Sequence, residues 1–339
     1  MKALQVVRPN QLAAIEKAMP AIEREDDVLV KIRCVGICGS DMHIYHGESP
    51  VATYPRVLGH EVVGEVVETG AAVEGLRPGD KVVVEPIVTC GTCYSCLSGR
   101  RNVCVNLEVY GVHRDGGFQE YLALPRRCVH KVDDRLSWEE AVLIEPFTIG
   151  AQAVSRGDVR EGDIVFIMGA GPIGLCTLQV AKLRGAFCII SDLSDEKLEY
   201  AVSLGADATI NPLRADVREE VLAITEGFGP NVTIDAVCTV QTFEQAVELT
   251  SAAGRVVVLG FGPEPSRIAQ LAITRKELTI AGSRLQTNKF PEVIEWFGSG
   301  KIKPESFVTH RFPFERAAEA IDLIETHPQD VRKVILEFS

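Results

Sequence analysis

The rhythm of apolar and polar positions changes partway along the chain. In roughly the first 150 residues, 28–32, 62–67 and 81–84 are short β-branched or alternating runs bounded by Gly or Pro. That pattern predicts a strand-rich, barrel-like region. Pro78-Gly79-Asp80 reads as a turn feeding the strand at 81–84. From about Gly162 the pattern alternates. Strands are predicted at 164–168, 187–191, 208–210, 232–237 and 255–259, and helices at 173–183, 196–204, 217–225 and 242–251. Such alternation predicts a doubly wound parallel sheet. Beyond about residue 285, helices at 290–298 and 314–326 precede a terminal strand at 331–337. The α/β unit therefore reads as an insertion into a domain made of the first part of the chain and its tail. Segments 255–260 and 278–282 read as edge-like strands able to pair across a two-fold axis, which predicts a homodimer or homotetramer.

Composition narrows the function. The 339 residues are 46% hydrophobic and 24% charged, the mix of an ordinary folded protein. The formal charge of −12 disfavours nucleic acid and anionic lipid as partners, and no basic patch offsets it. A small-molecule substrate is expected instead. No apolar run approaches ~18 residues, and the N-terminus carries no signal-peptide pattern, so a cytoplasmic location is expected.

Gly169-Ala170-Gly171-Pro172-Ile173-Gly174 follows a predicted strand and opens a predicted helix. This is the setting in which Gly-x-Gly-x-x-Gly binds a dinucleotide. Gly169 allows the tight turn, Gly171 the approach of the pyrophosphate, and Gly174 close helix–strand packing. Pro172 and Ile173 open a helix whose N-terminus supplies free N–H groups and a positive dipole end for the phosphates. Asp192 ends the next strand, where a carboxylate hydrogen-bonds the adenosine ribose, favouring NAD over NADP. Lys197 is a candidate to lie along the adenosine.

Cys90-x-x-Cys93-x-x-Cys96-x7-Cys104 places four thiols in one loop, which suits a closed tetrahedral zinc site. Redox thiols and an iron–sulfur cluster are the other readings. A second candidate metal site draws on Cys38, His60, Glu61 and Glu145. A Cys, a His and one or two carboxylates can hold zinc while leaving a position for substrate.

These motifs, in this order, resemble the zinc-dependent medium-chain alcohol dehydrogenase superfamily. They are Cys38-Gly39-Ser40-Asp41-x-His43, Gly59-His60-Glu61-x-x-Gly64, the four-cysteine lobe, Glu145-Pro146 and Gly169 to Gly174. The likeness extends over nearly the whole chain. It is greatest to the polyol and threonine dehydrogenase branch, and within it to the sugar-acid group of L-galactonate and L-gulonate 5-dehydrogenases and starvation-sensing RspB-like proteins.

The resemblance implies an α/β fold: a GroES-like β-barrel catalytic domain (1–148 with 285–339) and a doubly wound Rossmann NAD-binding domain (149–284). It implies two zinc ions, one catalytic and one structural, with Cys38 and His60 as constant catalytic ligands. Glu61 or Glu145 would be a further ligand or act through the bound water. Ser40 and His43 match a proton relay. Glu145 stands where alcohol dehydrogenases use Cys, which argues against simple alcohols. Arg56 is a candidate to meet a substrate carboxylate or to form an ion pair, and Tyr45, Tyr110, His113 and Phe118 are candidates to line a cleft. The activity implied is hydride transfer from a secondary hydroxyl of a sugar acid or polyol to NAD. A threonine dehydrogenase and a non-catalytic zinc- and nucleotide-binding sensor are the alternatives.

Overall fold

The computed structural model describes residues 1–260, 262–302, 304 and 306–339. The chain forms two compact units, Met1–Glu145 with Phe290–Ser339, and Pro146–Lys289. The first crossing lies within the continuous helix Ile144–Arg156. No break in the apolar pattern marks it, so the expected limit at 148/149 lies inside that helix. The second crossing, at Lys289/Phe290, lies just before the helix Phe290–Gly298 rather than at 284/285.

In the first unit the long strand Asp27–Ile37 organises everything around it. It pairs antiparallel with Glu61–Thr69, Tyr121–Pro125 and Lys333–Glu337. The sheet runs as an open path from Val129–Lys131 at one end to Val308–Pro313 at the other. Val28, Val30, Ile32 and Val35 are fully buried and pack with Val57, Leu58, Val62, Phe118 and Leu124 in one core. Register then fixes two distant residues at one spot. Gly36 lies opposite Glu61, and Ile37 lies opposite Val334. Gly36 has no side chain for a reason: a Cβ there would sit 2.0 Å from Glu61 Oε2.

The second unit is a six-stranded parallel sheet. Its order is Ala208–Ile210, Phe187–Ser191, Ile164–Met168, Val232–Asp235, Arg255–Val258 and Thr279–Gly282. Chain order reverses beside Ile164–Met168, the switch point at which such sheets bind ligands. Helices starting at Asp195, Val217 and Val240 are capped by Ser194, Asp216 and Thr239. Arg255–Val258 lies between two strands, which corrects the expectation of an edge there. Only Thr279–Gly282 is at that edge. No helix among the described residues is long and apolar enough to cross a membrane.

Candidate metal centres and nucleotide site

The helix Gly39–His46 begins at Cys38, directly after the long strand. Asp41, in its first turn, is 1% exposed. One carboxylate oxygen accepts the Cys38 backbone N–H at 2.9 Å, and the other accepts the Gly59 N–H at 3.2 Å. The latter oxygen also lies 3.5 Å from His60 Nδ1, a long contact for a hydrogen bond. Asp41 thus ties both segments of the site together, as carboxylates behind metal-bound histidines do.

A glycine cradle fixes the other side of His60. Gly117 N–H bonds Gly59 O at 2.7 Å and Gly116 N–H bonds Val57 O at 2.8 Å. A Cβ on Gly116 or Gly111 would strike Gly59 backbone at 2.2 and 2.7 Å. The segment Asp115-Gly116-Gly117-Phe118 is therefore the support of the His60 loop.

Donor atoms of Cys38, His60 and Glu61 converge within 4.8 Å of one another. Ser40 Oγ lies 3.4 Å from His60 Nε2. Burial alone would lower the pKa of His60, but the charges of Asp41 and Cys38 outweigh it and hold it well above the usual value. Glu145, 4% exposed, feels the same field. Burial pushes its pKa up to about 7, with His60 opposing the shift and Glu61 adding to it. A half-buried thiol, a buried histidine and a buried carboxylate attract a cation, so Cys38, His60 and Glu61 fit a zinc ion, while Glu145, also expected as a ligand, couples to His60 and Glu61 electrostatically without joining that convergent trio.

Glu61 has a partner that sequence reasoning missed. Lys333 Nζ lies 2.6 and 2.8 Å from its two carboxylate oxygens, and the two side chains are 3% and 1% exposed. The pair sits where the sheet register brings the tail strand beside residues 36–37. No local motif announces it.

The four-cysteine lobe is also assembled. All four sulfurs lie within 4.8 Å of one another. Cys104 Sγ is 3.4 Å from Cys90 Sγ and 3.8 Å from Cys93 Sγ. A tetrahedral ion with Zn–S of about 2.3 Å requires S···S near ~3.8 Å. Backbone N–H groups of Cys90, Cys93 and Asn106 point at the sulfurs, at 3.3, 3.4 and 3.3 Å. Such donors stabilise thiolates, and the Ser95 hydroxyl helps lower the Cys93 thiol to about 5. All ten cysteines are free thiols. Outside the lobe, Cys34, Cys128, Cys176 and Cys188 are buried, and Cys238 is half-buried at φ 68°.

In the second unit the turn after Ile164–Met168 has the expected form. Gly169 has φ 98°, and a Cβ on Gly174 would lie 1.9 Å from Gly169 O. A Cβ on Gly171 would meet nothing within 4 Å. Protein packing thus leaves open space in front of Gly171, at the N-terminus of the helix Pro172–Leu183, where Ile173 completes the first turn. This cradle fits a pyrophosphate. Asp192 accepts the Ala170 N–H at 2.9 Å and the Ser194 N–H at 3.0 Å, one on each oxygen. Each oxygen keeps a lone pair for a ribose hydroxyl. Lys197 lies half-buried in the first turn of the next helix.

Several candidates have other work. Arg56 is engaged by Asp115 at 3.4 Å and Thr53 at 2.7 Å. Tyr110 and Phe118 are buried in the core, and Tyr45 packs against it. His113 Nδ1 accepts the Val109 N–H at 3.1 Å.

Comparison with known proteins agrees with this geometry. Residues 24–134 match the alcohol dehydrogenase GroES-like domain and residues 172–299 the zinc-binding dehydrogenase domain. The chain is 45% identical to the starvation-sensing protein RspB of Escherichia coli K12, over 100% of both chains. It is 35% identical to the L-galactonate-5-dehydrogenase of the same organism, over 100% of this chain and 99% of that one. A crystal structure of RspB from E. coli CFT073, complexed with NADH, superposes with a TM-score of 0.95 at 44% identity, covering 100% and 99% of the two chains. The chain belongs to the zinc-type, medium-chain alcohol dehydrogenase family. It is an oxidoreductase acting on CH–OH with zinc and NAD(H).

Proposed function

We propose that the protein oxidises a secondary hydroxyl of a sugar acid of the L-galactonate or L-gulonate type, or of a polyol, with NAD. The observation that carries this reading is the convergence of Cys38, His60 and Glu61 within 4.8 Å, with buried Glu145, a carboxylate rather than a thiol, electrostatically coupled to His60 and Glu61. The 35% identical L-galactonate-5-dehydrogenase supports the sugar-acid class. Arg56 does not, because Asp115 and Thr53 engage it.

Cys38 and His60, with Glu61 or Glu145, would hold the catalytic zinc, and Cys90, Cys93, Cys96 and Cys104 the structural one. Bound zinc would lower the pKa of the substrate hydroxyl, and bound NAD would accept the hydride. Ser40 Oγ, 3.4 Å from His60 Nε2, would receive the hydroxyl proton. His43 stands one turn along the same helix, on the same face, and takes the proton outward. Gly169, Gly171 and Gly174 would cradle the pyrophosphate, with Asp192 on the adenosine ribose.

The test follows NADH formation by the zinc-loaded protein with aldonates, polyols, threonine and ethanol. Turnover of one aldonate or polyol, lost in Cys38→Ala, supports the proposal. Turnover of threonine alone would replace the substrate class. Failure of every aldonate and polyol would overturn it.

A further inference from the structure

The helix Gly39–His46 ends in a way that joins two side chains. Gly47 is left-handed at φ 83°. Its N–H bonds Ile44 O at 3.1 Å, and the Glu48 N–H bonds His43 O at 2.9 Å. This pair of bonds defines a Schellman cap, in which the third residue from the helix end and the second residue beyond it are brought into contact, usually an apolar one. Here those two residues are His43 and Glu48. The cap is fixed twice over, since a Cβ on Gly47 would also strike Pro9 at 2.8 Å.

Glu48 Oε2 lies 2.6 Å from His43 Nδ1. A carboxylate at that nitrogen selects the tautomer with the proton on Nδ1. His43 Nε2 has no protein partner among the described residues. The neighbouring His46 differs. Its Nδ1 is 2.8 Å from Asn10 Oδ1 and its Nε2 is 2.9 Å from Glu325. One histidine of the helix is thus held at both ends, and the other is oriented at one end and open at the other.

We propose that Glu48 is a positioning residue of the proton relay: it holds His43 with Nδ1–H toward itself, leaves Nε2 as the accepting nitrogen, and balances the positive charge that His43 takes on. The inference rests on the relay reading of Ser40 and His43 given above. The substrate hydroxyl proton arrives at Nε2, Nδ1–H stays on Glu48, and the imidazolium then returns one proton to water. Nothing is oxidised or reduced in this transfer. The charged and titratable groups facing the pair are His46, on the same helix, and Glu325, which meets His46.

The experiment titrates His43 by NMR in zinc-loaded full-length protein with ring-labelled histidine, in wild type, Glu48→Gln and Glu48→Ala. His43→Gln assigns the signal among seven histidines. The pH profile of kcat for oxidation is measured on the same proteins. Losing the carboxylate destabilises the imidazolium, so the His43 NMR titration should move to lower pH in both Glu48 variants. The acid limb of kcat should move to lower pH by the same amount, because the neutral ring is the proton acceptor. Glu48→Ala, which also loses the tautomer, should further lower the plateau by about three- to tenfold. An unchanged His43 titration overturns the proposal. So does a shifted titration with an unmoved kcat limb when His43→Gln abolishes that limb. If His43→Gln leaves the limb intact, the relay reading itself has failed, and Glu48 falls with it.

Discussion

The four sulfurs of the lobe come from the single segment 90–104, near the surface, beside the exposed side chains of Tyr94, Leu97 and Val105. The Cys38–His60–Glu61 cluster draws on segments separated along the chain and is closed from behind by Lys333. The lobe offers four like donors and no position for substrate. The cluster mixes a thiol, an imidazole and a carboxylate, and its charge is trimmed by a buried cation. The difference separates a metal that holds a loop together from one whose charge and open position can be used in chemistry.

That contrast can be broken most sharply at Cys38. Cys38→Ala should lower kcat/KM by about a thousandfold, equivalent to the several kcal/mol of charge stabilisation a catalytic metal supplies. Metal analysis should show the lobe still loaded; loss of both ions together would mean the two sites are not independent.

Lys333→Met leaves the Glu61 carboxylate buried without its cation. Breaking such a pair costs about 3–5 kcal/mol, read as a lower denaturant midpoint of the zinc-loaded protein. A loss below about 1 kcal/mol would mean that another cation compensates Glu61.

Asp41→Asn keeps the shape but not the charge behind His60. Zinc competition against a chelator should show about 10–100-fold weaker binding at the catalytic site only. An unchanged affinity would reduce Asp41 to a helix-capping role.

The smallest effect on turnover belongs to the lobe. Cys93→Ala should leave kcat within about twofold while making residues 90–104 susceptible to protease. A large fall in kcat would make the lobe part of the active site after all.

The same contrast explains what could be read from the sequence. The cysteine lobe and the Gly169–Gly174 turn are local, so spacing alone exposes them. Strands 164–168, 187–191 and 208–210 were legible because buried β-branched runs between glycine turns leave few other choices. The ion pair of Glu61 and Lys333 spans 272 residues and depends on strand register, which no short pattern encodes. Asp41 was visible within a motif, but its role came only from the two backbone N–H groups it accepts. Gly111, Gly116 and Gly117 carry no sequence signal of their role, because a glycine needed for close packing looks the same in sequence as one needed for a bend. Glu48 is a similar case: a surface glutamate after a helix carries no signal until the cap geometry sets it on His43.

The separation of Glu61 from Lys333 also has a consequence for the order of events during synthesis. At about 5–20 residues per second, the intervening 272 residues take roughly 15–50 s to make. All four lobe cysteines have emerged long before then. Cys38, His60 and Glu61 have emerged too, but with Glu61 still lacking its counter-ion and the strand Lys333–Glu337 still missing from its place beside 34–37. The lobe can take its metal on the ribosome, while the catalytic centre reaches its final charge only when the last strand closes over it.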